Sequence, residues 1–180
     1  AESLSGIKEK DLTLALGQEL RDRLGKEKNI KVMMTRDDDT FLRLSERVRL
    51  ARQYEADLFI SIHADTINQG DIRGATVYTI SDKASDSVAR AMAERENKSD
   101  SVAGAVPEEL PEVADILLDL TRRETHTFSL SFAEKVISSL QGEVNLINKP
   151  HRFAGFQVLR APDVPSVLLE IGYLYNAADD

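Results

Sequence analysis

Leucine recurs every fourth position at Leu12, Leu16, Leu20 and Leu24, with Ala15 beside the stripe. This spacing predicts an amphipathic helix over Lys8 to Gly25, stopped by the glycine. Ile30 to Thr35 reads as a strand, and after the acidic turn Asp37-Asp38-Asp39 a second helix carries Leu44, Val48 and Ala51 on one face. The run Leu58, Phe59, Ile60 and Ile62 has the length and the β-branched, aromatic content of a strand covered on both faces. A further strand is expected over Ala75 to Ile80, with several caps between Ser81 and Ser85 for a helix from about Ala84 to Asn97.

The polar segment Lys98 to Glu109, with Gly104 and Pro107, reads as a long loop or insertion. Beyond it, Val113, Ile116, Leu117 and Leu120 mark one helix. Phe128, Phe132, Ala133, Val136, Ile137 and Leu140 mark another, ending at Gly142. Phe156 to Leu159 and Ser166 to Ile171 are the expected closing strands, on either side of the Pro162 to Pro165 turn. Alternating helices and strands predict a single α/β domain, a twisted mixed sheet flanked by helices on both faces.

Length and composition narrow the chemistry. The 180 residues suit one domain, and a formal charge of −8 argues against a nucleic-acid or anionic-membrane partner. No apolar stretch approaches the roughly 20 residues of a membrane span. With no cysteine, thiol catalysis, disulfides and thiolate metal sites are excluded, so any metal must take histidine and carboxylate ligands. With no tryptophan to stack on a sugar ring, recognition of a glycan-linked substrate is expected to rest on a peptide.

Open α/β sheets bind ligands beyond the carboxyl ends of their strands, which is where His63 falls in Asp57-Leu-Phe-Ile-Ser-Ile-His-Ala-Asp-Thr66. His63 is thus a candidate metal ligand, or else a structural histidine. Glu170 directly follows Val167-Leu168-Leu169, and an acid inside such a strand is costly unless it is paired, protonated or facing a metal or cavity. Glu9, in the first turn of its helix, is accounted for by the helix dipole alone.

Five segments together resemble the catalytic domain of the zinc-dependent N-acetylmuramoyl-L-alanine amidases of the type 3 group. They are Gly6-Ile-Lys-Glu-Lys-Asp-Leu, Thr35-Arg-Asp-Asp-Asp with Leu44 and Arg47, Ala56 to Asp65, Arg73-Gly-Ala, and Val167-Leu-Leu-Glu-Ile-Gly-Tyr-Leu-Tyr-Asn. The resemblance implies a zinc ion held by a histidine, a glutamate and a second histidine, the last two falling on Glu9 and His63, with Glu170 as the catalytic glutamate. It also implies hydrolysis of the bond between the lactyl group of muramic acid and L-alanine in peptidoglycan, and a periplasmic location. The first zinc histidine of the family lies in a Gly-His-Gly-Gly turn after an opening strand, upstream of the segment that matches Gly6. Residues 1–180 are therefore expected to show two of the three ligands and to lack that strand. His126 and His151 do not match the missing position and are expected to be structural or solvated. Arg36, Arg47 and Arg73 match family positions and are expected to act as ion-pair anchors.

Members of the group that separate daughter cells carry a regulatory insertion whose helix puts a glutamate on the zinc, and a LytM-like protein activates them. Residues 83–124 resemble that insertion. Val88, Met92 and Glu96 are spaced four apart, so Glu96 continues the apolar stripe while Glu94 lies around the helix. Glu96 also stands near the carboxyl end, where the helix dipole disfavours an acid. It is the expected inhibitory ligand, the alternative being a surface pair with Arg90, Arg95 or Lys98. The competing reading of the whole chain is a non-catalytic peptidoglycan-binding or regulatory homologue.

Overall fold

Four strands form one sheet in the order β1-β4-β2-β3 in the computed structural model, which describes residues 1–3, 6–65, 73–105 and 116–174. They are β1 (Phe59–His63), β2 (Ala75–Ile80), β3 (Leu146–Ala154) and β4 (Ser166–Glu170). β4 runs parallel to β1 and antiparallel to β2, and β3 runs parallel to β2, so the sheet is mixed as expected.

Because successive residues of a strand point to opposite faces, β2 and β4 supply both halves of the core. Val77 and Val167 meet Ala133, Phe132 and Val136 of the long helix α5 (Ile116–Leu140). Tyr78 and Leu168 turn the other way, toward Val48 of α2 (Leu44–Gln53), Met92 of α3 (Ser87–Glu96) and Phe156. Helices thus cover both faces. No described helix is long and apolar enough to cross a membrane.

Helix α1 spans Glu9–Leu24 and ends at Gly25, but its leucine stripe is only half-buried and none of its residues is fully buried. The segment Ile30 to Thr35 is not a strand. β1 forms a ladder only with β4 among the described residues, so no strand lies beside residues 30–35 to bond their backbone, and Ile30 and Met33 stay exposed. Arg36 ties this region to α1 through the carbonyls of Lys10 and Asp38 at 2.6 and 2.7 Å.

Other boundaries differ from the pattern reading. The cap of α3 is Asp86, whose carboxylate accepts the Ala89 N–H at 2.9 Å, rather than a residue of Ser81 to Ser85. Within the expected loop Lys98 to Glu109, Ser99–Val102 forms the short helix α4, and its buried Asp100 accepts the Leu44 N–H at 3.1 Å, capping α2 from outside. The two helices expected after Pro111 are one where described: Thr121 to Thr127 is polar but contains neither glycine nor proline, so α5 runs through it. The expected Val113 portion lies outside the described residues.

Phe156 to Leu159 is not a strand, since Gln157–Leu159 forms a 3-10 turn. β3 has no counterpart in the pattern reading because Pro150 and a left-handed Lys149 (φ 55°) interrupt it. Both fall where its register against β2 shifts, on the outer strand of the sheet, where proline is tolerated. Gly74 lets β3 begin there: its φ is +93°, and a Cβ would stand 2.9 Å from the Asn145 carbonyl oxygen.

Candidate active site

The parallel pairing of β1 with β4 sets His63 opposite Glu170, and Thr76 of β2 lies opposite Glu170 on its other side. Paired residues point to the same face, so His63, Glu170 and Thr76 form a buried polar row at the carboxyl ends of β1 and β4. Tyr173 closes the row, its hydroxyl 3.3 Å from Thr76 Oγ1.

Two helices bring carboxylates to the row. Glu9 Oε1, from the start of α1, is 3.3 Å from His63 Nδ1 and accepts the Ala64 N–H at 3.2 Å. Glu96 Oε2, from the end of α3, is 3.1 Å from the same nitrogen, while Glu94 is exposed. The other ring nitrogen, Nε2, is 3.1 Å from Ser61 Oγ, which orients the imidazole. Burial works against a charged His63, but the Glu96 and Glu9 carboxylates outweigh it and raise its pKa. Burial also opposes charge on Glu9, yet the hydrogen bond and charge of His63 lower its carboxyl pKa.

Glu170 is 0% exposed. Its Oε1 accepts the Asp65 N–H at 2.7 Å, and its Oε2 has no hydrogen-bond partner among the described residues. Burial pushes its pKa well above the ordinary carboxyl range; the Asp65 N–H opposes this and the charges of Asp65, Glu9 and Glu96 reinforce it. A carboxylate with a raised pKa is a stronger proton acceptor and, once protonated, can return the proton, which suits general acid and base work.

Arg47 lies beside this acidic group. Burial lowers its guanidinium pKa against the pull of Glu96, and its Nε donates to the Leu42 carbonyl at 3.2 Å. Arg73 is exposed. His126 and His151 belong to α5 and β3, outside the row.

The donors suit zinc chemically: one imidazole nitrogen with carboxylate oxygens, and no thiolate. Two bonds of about 2.0–2.1 Å at a tetrahedral angle separate their donor atoms by about 3.3 Å, close to the 3.3 and 3.1 Å spacings of Glu9 and Glu96 from Nδ1. Among the described residues, however, no three such side chains form a complete metal-binding group. The row also contains residues that spacing alone did not single out. Asp65, just beyond His63, lies in the strand-end corner where ligand binding is expected, although the sequence gives it no particular role. Arg95, one residue off the apolar stripe of α3, reaches Asp65 Oδ1 at 2.7 Å.

Fold and site together define an α/β domain with a buried imidazole and carboxylate centre at the carboxyl edge of a mixed sheet. The chain belongs to the N-acetylmuramoyl-L-alanine amidase family Amidase_3, whose model matches residues 1–180. It is 37% identical over 175 residues to N-acetylmuramoyl-L-alanine amidase AmiC of Escherichia coli O6:H1, covering 96% of this chain and 42% of that protein. It is 34% identical over 178 residues to AmiA of Escherichia coli, covering 98% of this chain and 61% of that one. Among solved structures, the catalytic domain of CwlV, an N-acetylmuramoyl-L-alanine amidase from Bacillus (Paenibacillus) polymyxa, superposes with a TM-score of 0.60 at 25% identity, covering 99% of this chain and 75% of that one.

Proposed function

We propose that this domain hydrolyses the amide bond between the lactyl group of N-acetylmuramic acid and L-alanine in peptidoglycan, with zinc as cofactor, and that α3 holds the site shut until an activator withdraws it. The observation that carries the reading is the meeting of Glu9 and Glu96, from two helices, on one nitrogen of His63, next to a buried Glu170 on the adjoining strand. Membership of the amidase family supports the same chemistry.

In this reading Glu9 and His63 hold the metal and Glu96 is the inhibitory ligand. Zinc, when bound, polarises the amide carbonyl and makes water reactive at neutral pH. The protein supplies the proton transfers. With Oε1 of Glu170 fixed by the Asp65 N–H, Oε2 is the atom that accepts a proton from water and delivers it to the leaving amine. Residues 83–124 are the regulatory insertion, opened by a LytM-like activator during daughter-cell separation in the periplasm.

The test is hydrolysis of defined muropeptides by the full-length protein without activator, with zinc content measured in parallel. Glu96→Ala is expected to raise turnover on the order of tenfold, a coupling of about 1–3 kcal/mol. Glu170→Gln keeps its zinc and loses about 100-fold or more, since an amide cannot act as the base. Unchanged turnover in Glu96→Ala rejects the plug, loss of zinc in Glu170→Gln makes that residue a ligand, and no turnover in either the parent or Glu96→Ala favours the non-catalytic homologue.

A further inference from the structure

The end of α3 delivers two opposite charges to the site from adjacent residues. Glu96 reaches His63, and Arg95 reaches Asp65, a carboxylate that is 1% exposed. The Arg95 side chain is 48% exposed, so the helix end lies at the surface while the guanidinium tip reaches a buried acid. The Asp65 backbone N–H holds Glu170, so the acid that Arg95 reaches belongs to the residue that fixes the carboxyl assigned the proton transfers.

We infer that Asp65 is a recognition point for a primary ammonium of the stem peptide, and that Arg95 is the internal cation occupying that point while α3 is in place. The inference rests on the amidase reading above and names what the substrate must bring. Taking a cation away from a buried carboxylate is strongly unfavourable, whereas exchanging one cation for another is not. A ligand that displaces α3 therefore binds best if it carries a positive charge where Arg95 was.

A stem peptide offers two such groups, the side-chain ammonium of a diamino residue and the α-ammonium that hydrolysis frees on L-alanine. Either is smaller than a guanidinium and can approach a carboxylate that the longer Arg95 already reaches. The absence of tryptophan is consistent with recognition that rests on the peptide.

Calorimetric binding of L-alanyl-γ-D-glutamyl-L-lysine to the zinc-loaded protein tests the inference, using the free peptide and forms acetylated at the α- or ε-amine. Arg95→Met, which removes the internal competitor, is expected to bind the free peptide about tenfold more tightly than the parent protein. Asp65→Asn is expected to bind it about tenfold more weakly. One of the two acetylations should reproduce the Asp65→Asn loss in the parent and cost nothing more in that variant, which identifies the ammonium. A tighter complex cannot come from misfolding, so Arg95→Met stands even if Asp65→Asn folds poorly.

Equal tightening of all three peptides by Arg95→Met would mean that Arg95 only latches the helix, and would overturn the inference. So would affinities that neither acetylation changes. Binding is read without turnover, which separates the two readings. Asp65-dependent binding with no muropeptide hydrolysis sinks the amidase activity and leaves the ammonium site, while hydrolysis with no ammonium dependence does the reverse.

Discussion

His151 shows what burial does to a titratable side chain away from the site. Its Nε2 is 2.9 Å from Thr79 Oγ1, and burial lowers its pKa, with Glu134 opposing the shift and His126 adding to it. A folded pKa below the unfolded value of about 6.5 means that the unfolded chain binds more protons in the interval between them. Stability therefore rises with pH through that interval and levels off above about 6.5. His151→Gln keeps a polar partner for Thr79 but cannot titrate. The gain in urea midpoint from pH 5 to pH 7.5 should be smaller in the variant than in the parent; equal gains would show that His151 does not contribute. At this scale the site was legible wherever a residue broke a periodic pattern. Glu170 is an acid inside a buried strand, and Glu96 an acid on an apolar stripe. Asp65 and Arg95 break no pattern, because one follows a strand end and the other lies about 100° around the helix from Glu96. Only the approach of α3 to the residues that follow β1 makes them partners.

Elements were legible where one face carries the apolar residues: β1, β2 and β4 lie within a residue or two of their expected limits, and α2 buries the expected Leu44, Val48 and Ala51. β3 was hidden because an outer strand with proline and a register shift has no alternation to read. α4 was hidden for a different reason: it is four residues long, and its purpose is to place Asp100 against another helix. The first N–H groups of a helix have no partner within it, and Asp100 supplies one to Leu44 where the helix dipole also favours a negative charge. Asp100→Ala should destabilise the domain by about 1–2 kcal/mol, the loss of a buried cap, with Asp100→Asn costing less. Equilibrium unfolding in urea measures both. A change in Asp100→Ala below about 0.5 kcal/mol would show that water replaces the cap, and that α4 does not anchor the segment joining it to α3.

Across the whole molecule, the site joins parts that packing alone holds loosely. β1 has a strand neighbour on one side only among the described residues, and α1 contributes Glu9 without burying any residue fully. α1, β1 and the end of α3 meet at His63 through polar groups, so an ion bound there would tie three elements together. Metal affinity then becomes folding stability, because the unfolded chain has no preformed site. Zinc at 100 times its dissociation constant would stabilise the fold by about 2.7 kcal/mol. For a domain of this size each kcal/mol moves Tm by about 2–4 °C, giving an expected rise of about 5–10 °C when zinc is added to chelator-treated protein. His63→Ala and Glu9→Ala should each lose most of that rise, because each removes a donor that the elements share. The chain carries 31 aspartates and glutamates, so weak surface binding of zinc is the competing explanation. Surface binding would survive both substitutions, and an undiminished rise in His63→Ala would move the metal away from the β1 edge and withdraw the proposed role of α3 with it.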